Sequence, residues 1–108
     1  MPIPSTPAPK DALRVALSQI NPTVGDLVGN EYTVQVEYAK AAAAGCHVVV
    51  FPELTVTGYP PEDLLLKRQF VRHNKLAVDR IAAQTGSCVA AVGFVHEEDG
   101  KLYNAVAL

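Results

Sequence analysis

The sequence has few cysteines and no run of basic residues, and both shortages narrow the range of functions. Cys46 and Cys88 are the only cysteines among 108 residues, and no metal-type spacing joins them to each other or to histidine. We therefore predict neither a zinc site nor a disulfide framework, and two free thiols fit the reducing cytoplasm, where we place the protein. A net charge of −2 does not favour nucleic acid or an anionic membrane as a partner.

Long apolar runs and phosphate-binding motifs are also missing. The longest apolar run is much shorter than a membrane span, and the proline-rich start MPIPSTPAPK lacks the apolar core of a secretory signal. We predict a flexible tail over residues 1–11 and at most one domain, or a portion of one, over residues 12–108. Neither GxGxxG nor a P-loop occurs, so no phosphate cradle, cofactor or metal ion is predicted within these residues.

The chain is organised around residues 47–65, HVVVFPELTVTGYPPEDLL. The short β-branched run Val48–Phe51 predicts a strand buried on both faces. Glu53 follows just past the carboxyl end of this strand, where α/β sheets usually place their reactive groups. A stiff Gly-Tyr-Pro-Pro turn is predicted to bring Tyr59 near Glu53.

The rest of the pattern predicts the element order β, α, β, α, β, β, an α/β class. The predicted strands cover residues 13–19, 48–51, 88–95 and 101–108, and the helices cover 30–44 and 62–85 with a break near 67–69. Asn30 is the expected N-cap of the first helix, and Gly45 and Gly86 are the expected helix stops. Gly93 indicates a bulge or a close backbone approach. Because the sequence reaches Leu108 inside an apolar strand, we interpret the chain as the leading part of a larger fold.

Each candidate site residue also has a structural interpretation. A carboxylate after a strand is more often a cap or an ion-pair partner, but the apolar neighbours of Glu53 would desolvate it, which suits a general base. The Tyr59 hydroxyl could bind a polar substrate, although half-buried packing is the commoner role. Glu62 and Asp63 are assigned to a helix N-terminus. The cysteines and histidines are assigned to packing.

Three stretches carry a family resemblance: LRVALSQINPTVGD, VVVFPELTVTGYPPEDLL, and VGFV followed by LYNAVAL. They resemble the carbon-nitrogen hydrolase (nitrilase) superfamily, of which FPEL is the mark. The pairing of NPTVGD with TGYPPEDLL resembles, more narrowly, the amino-terminal glutaminase domain of the glutamine-dependent NAD(+) synthetases. The resemblance implies that these residues form an incomplete α-β-β-α sandwich.

The same resemblance implies a Glu-Lys-Cys catalytic triad. Glu53 would be the general base that activates the cysteine thiol, whose attack on the side-chain amide of glutamine releases ammonia. The lysine would stabilise the oxyanion, and both the lysine and the cysteine would lie beyond Leu108. Tyr59 matches a tyrosine that lines the glutamine pocket. The 108 residues alone are therefore expected to be inactive.

Partners beyond glutamine follow from the resemblance as well. It implies a separate synthetase domain that uses ATP and magnesium to convert deamido-NAD to NAD, and a homo-oligomeric assembly. Two alternatives stay open. One is an amidase or nitrilase that acts on another small amide, and the other is a truncated, non-catalytic interaction module that recruits a partner through an exposed sheet edge.

Overall fold

Three parallel strands and one antiparallel strand form a single sheet in residues 6–108, the part of the chain that the computed structural model describes. The strands are β1 (Val15–Leu17), β2 (Val48–Val50), β3 (Val89–Glu98) and β4 (Lys101–Ala107), in that spatial order. The helices are α1 (Leu27–Ala43) and α2 (Arg68–Ala83), with a 3-10 helix at Glu62–Leu66. The predicted element order and the α/β class are confirmed.

Parallel pairing explains where the helices lie. β1 pairs with β2 and β2 with β3 in parallel, so α1 and α2 each connect neighbouring strands. Right-handed crossovers that advance in one direction place both helices on the same side of the sheet. The core on that side combines residues of both helices, of β2 and of β3, among them Val34, Val49, Ala77, Ile81 and Val92.

The opposite face of the sheet is open within the described residues. Five of its apolar side chains are 36 to 66% exposed: Val15, Leu17, Val50, Val89 and Val106. The prediction that β2 is buried on both faces is therefore wrong for this structure. Val49 is 1% exposed, but Val50 is 36% exposed, because both crossover helices cover the same face.

The start of α1 also differs from the prediction. Asp26, not Asn30, is the N-cap, and its Oδ1 accepts a hydrogen bond from the Gly29 N–H at 3.0 Å. Asn30 lies inside the helix and is buried. Its amide donates to the Thr23 and Val56 carbonyls and accepts from the Thr23 N–H. Asn30 therefore joins two loops, and the predicted N-cap role is wrong.

The other helix boundaries differ from the predicted ones by a few residues. The break before α2 is confirmed, since Lys67 separates the 3-10 helix from α2. Gly45 has a φ of 75° directly after the C-cap of α1, as expected for a helix stop. Gly86 does not end α2, because the helix already ends at Ala83.

The structure describes the predicted tail, residues 1–11, only in part. Residues 1–5 of the predicted flexible tail lie outside the described residues, so the boundary at residue 12 stays a prediction. The carbonyl of Thr6 accepts a hydrogen bond from the Arg14 guanidinium at 2.6 Å.

Among residues 6–108, no helix combines the length and the apolar character needed to cross a membrane.

Candidate active site

Glu53 lies in the loop that leaves the carboxyl end of β2, and this loop is fixed to β3 on both sides of Glu53. The Phe51 N–H donates to the Ala91 carbonyl at 3.0 Å, and the Val56 N–H donates to the Gly93 carbonyl at 3.2 Å. The neighbouring strand therefore sets the position of the Glu53 backbone.

Gly93 makes this contact between loop and strand possible. A Cβ atom at Gly93 would lie 2.5 Å from the Leu54 nitrogen and 2.9 Å from the Pro52 oxygen. Only a residue without a side chain lets the two backbones approach so closely. The predicted close backbone approach at Gly93 is confirmed.

Two buried threonines stabilise the loop after Glu53. Thr55 and Thr57 are fully buried, and the Thr55 hydroxyl donates to the Pro52 carbonyl. The Thr57 hydroxyl donates to the Gly58 carbonyl at 2.9 Å. Buried hydroxyls that find partners within their own loop hold the loop in one conformation.

The Glu53 side chain lines a cleft of about 330 Å³ between this loop and β4. Of the nine lining residues, only Glu53 and Asn104 have polar side chains; the others are Val50, Phe51, Pro52, Ala91, Gly93, Ala105 and Val106. The Asn104 Nδ2 donates a hydrogen bond to the Glu53 Oε2. A mostly apolar cleft with two convergent polar groups is typical of a small-molecule site.

Neither structural alternative for Glu53 is found in the described residues. The ion pairs within residues 6–108 join Lys40 to Glu37, Lys75 to Asp79, and Arg80 to Glu31, and Glu53 takes part in none of them. Glu53 is also not the N-cap of either α-helix. Its observed partner is a neutral amide at the cleft. Glu53 itself is exposed, so the predicted desolvation of its carboxylate by apolar neighbours is wrong for this structure.

Asn104 was not among the candidate residues predicted from the sequence. It lies 51 residues from Glu53 along the chain, at an exposed position of an apolar strand. The hairpin register places it opposite Val95, two residues beyond Gly93. The available signal was a single amide in the strand LYNAVAL, and only the register of β3 and β4 shows which loop it faces.

Tyr59 lies outside the cleft of Glu53. Its side chain is 62% exposed, and it is not among the residues that line the cleft. The preceding Gly58, with a φ of 78°, packs directly on the backbone of Val24. Tyr59 is thus held where the NPTVGD loop meets the loop after β2, and its role in substrate binding stays a prediction.

The cysteines lie away from the cleft of Glu53. Cys88 is 3% exposed and belongs to the core, and burial, together with nearby Cys46, raises the pKa of its thiol. A buried thiol with a raised pKa is a poor nucleophile. His47 accepts a hydrogen bond from the Arg14 N–H at 2.9 Å, which is a structural role.

Residues 14–108 match the model of the carbon-nitrogen hydrolase family, so the chain belongs to this family. Its similar relatives include the glutamine-dependent NAD(+) synthetases of Thermotoga maritima, 41% identical over 98 residues, and of Aquifex aeolicus, 42% identical over 101 residues. Each match covers 89% of this chain and 17% of the relative. The chain therefore spans about a sixth of the length of these curated relatives.

Solved structures give the same fold. The glutamine-dependent NAD(+) synthetase of Cytophaga hutchinsonii superposes with a TM-score of 0.82 at 26% identity, over 87% of this chain and 16% of that one. The enzyme of Acinetobacter baumannii gives 0.74 at 34% identity, over 88% and 18%. An amidase of Nesterenkonia gives 0.70 at 20% identity, over 80% and 33%, which shows the shared fold alone. The expected nitrilase-like fold is confirmed.

Proposed function

We propose that this chain forms part of the glutaminase domain of a glutamine-dependent NAD(+) synthetase, with Glu53 as its general base. The position of Glu53 carries the proposal. Its carboxylate lies past the carboxyl end of β2, takes part in no ion pair found in residues 6–108, and lines an apolar cleft beside one amide. The names of the similar relatives support glutamine as the substrate.

The proposed reaction is an acyl transfer through a cysteine thiolate. Glu53 accepts the thiol proton, and the thiolate attacks the side-chain amide carbon of glutamine. The proton passes to the amide nitrogen, ammonia leaves, and water hydrolyses the thioester to glutamate. A cysteine and a lysine from outside residues 1–108 would supply the nucleophile and the oxyanion stabilisation.

The ammonia would then serve the synthesis of NAD. We assign the ATP-dependent amidation of deamido-NAD, with its magnesium ion, to a synthetase domain outside this chain, and no step of the glutaminase reaction passes through ATP or magnesium. We further propose that the complete enzyme works in the cytoplasm as a homo-oligomer. The names of the relatives support these substrates, whereas location and assembly rest on the sequence analysis.

A chimeric enzyme tests the proposal. Residues 14–108 replace the segment they match in the Thermotoga maritima enzyme, and NAD synthesis is measured with glutamine and, separately, with ammonia. We expect both activities in the chimera. Glu53→Gln should reduce the glutamine-dependent rate by roughly 10²- to 10⁴-fold, the usual contribution of a general base, and leave the ammonia-dependent rate unchanged.

Glu98→Gln is the matched control, because Glu98 is an exposed carboxylate at the end of β3. It should leave both rates unchanged. A chimera that uses ammonia but not glutamine contradicts the proposal, and so does a Glu53→Gln chimera that still uses glutamine. If the chimera hydrolyses other small amides but not glutamine, the amidase alternative replaces the proposal.

A further inference from the structure

We propose that Asn104 is a positioning residue that fixes the Glu53 carboxylate for proton transfer; this inference rests on the proposed function. Its Nδ2 donates to the Glu53 Oε2. Within residues 6–108 no other side-chain hydrogen bond to Glu53 is found, so Oε1 is left to accept a proton. Asn104 would act on the reaction only through Glu53.

β3 positions both Asn104 and the loop that carries Glu53. Asn104 on β4 lies opposite Val95 of β3, two positions along the ladder from the pair of Gly93 and Val106. The loop of Glu53 packs on Gly93 itself. The antiparallel register thus sets the distance between the amide and the carboxylate, and neither partner depends on a flexible connection.

The chemistry of the two groups allows one orientation of the amide. An ionised carboxylate only accepts hydrogen bonds, so the amide must turn its NH₂ group toward Glu53. The other seven cleft-lining residues have apolar side chains or none. Asn104 is therefore the one lining side chain that can select a rotamer for Glu53. Loss of such positioning costs up to roughly 100-fold in rate.

Three variants of the chimera separate positioning from packing. Asn104→Asp keeps the shape but removes the donor, Asn104→Leu removes the donor without adding charge, and Asn104→Gln keeps an amide. Asn104→Asp and Asn104→Leu should lower kcat for glutamine hydrolysis by about 10- to 100-fold, with KM within about twofold. Asn104→Gln should recover part of this loss. Ammonia-dependent synthesis should not change in any variant.

A double variant tests whether Asn104 acts through Glu53. If it does, Glu53→Gln with Asn104→Leu should be no slower than Glu53→Gln alone, since residues that act as a unit are not additive. A further multiplicative loss in the double variant would overturn the inference. Equal loss of the glutamine-dependent and ammonia-dependent rates in the single variants would also overturn it, because that result indicates a structural role.

The failure of this inference differs from the failure of the proposed function. If Glu53→Gln inactivates the chimera and Asn104→Asp and Asn104→Leu do not, only the inference is wrong. If Glu53→Gln has no effect, the proposed function is wrong. A crystal structure of the chimera is the second measurement should Asn104→Leu not fold. An Asn104 amide turned away from Glu53 in that structure would reject the inference.

Discussion

Gly93 of β3 lies directly against Leu54, so closely that a Cβ atom on Gly93 would sit 2.5 Å from the Leu54 nitrogen. The loop that carries Glu53 therefore depends on a missing side chain in the neighbouring strand. The backbone cannot yield freely, because Phe51 and Val56 hydrogen-bond β3 on either side.

Gly93→Ala should displace this loop and with it the Glu53 carboxylate. Overpacking of a well-packed contact costs about 1–3 kcal/mol, so the free energy of unfolding should fall by that amount in urea titrations. The glutamine-dependent rate of the chimera should fall by a larger factor than the ammonia-dependent rate.

Gly100→Ala is the matched control, because it adds the same methyl group to the hairpin without touching the loop of Glu53. Gly100 also lies in the β3–β4 hairpin, and a Cβ atom there would meet no atom within 4 Å, although its φ of 76° carries its own cost. It should leave glutamine use intact. Equal rates for Gly93→Ala and the unaltered chimera would refute the tight contact.

Asn30 joins the loop before α1 to the loop after β2. Its buried amide makes three hydrogen bonds to the backbones of Thr23 and Val56. Asn30→Leu should lower the free energy of unfolding by about 1–3 kcal/mol, because the carbonyl of the fully buried Val56 loses this partner and the two bonds to Thr23 are lost as well. Asn21→Ala, at an exposed asparagine of the same loop, should change it by less than about 0.5 kcal/mol. Similar losses in both variants would contradict this account.

Gly93 and Asn30 show how far the sequence predicts the structure. The element order, the hairpin, the break near Lys67 and the placement of Glu53 after β2 follow from local patterns, since each depends on periodicity or on turn residues close in the chain. The close approach at Gly93 follows from a glycine inside a strand. All of these signals are local.

What the sequence did not predict depends on contacts between distant segments. Asn30 has the residue type of an N-cap, but its amide bonds Thr23 of the preceding loop and Val56 of the loop after β2, so local propensity favoured the wrong role. The open face at Val50 reflects the side on which both helices cross the sheet. Asn104 meets Glu53 only through the register of β3 and β4, which no local pattern shows.

Cys88 supports a prediction on pH dependence. Burial raises the pKa of its thiol above the ordinary value of 9.0, so the folded state holds the proton more tightly than the unfolded state. Its contribution to stability is fully present below about pH 9 and is lost as the pH rises through the folded-state pKa. The free energy of unfolding should therefore fall above pH 9, and less so in Cys88→Ala.

Thiol alkylation tests the burial of Cys88 at neutral pH. Cys46 is partly exposed and Cys88 is buried, so iodoacetamide should modify Cys46 first. Cys88 should react only at the rate of unfolding. Equal rates for the two thiols in the folded protein would contradict the burial of Cys88.

Replacement of Tyr59 tests its predicted role in substrate binding. Its side chain is exposed and does not line the cleft of Glu53, so we expect it to contact a part of glutamine other than the reacting amide. In the chimera, Tyr59→Phe should raise KM for glutamine by roughly 2- to 10-fold, the worth of one hydrogen bond, and leave kcat unchanged. Tyr32→Phe, at an exposed tyrosine of α1, should change neither. An unchanged KM in Tyr59→Phe would return Tyr59 to a packing role, because its ring would remain while its hydroxyl contributed nothing to binding.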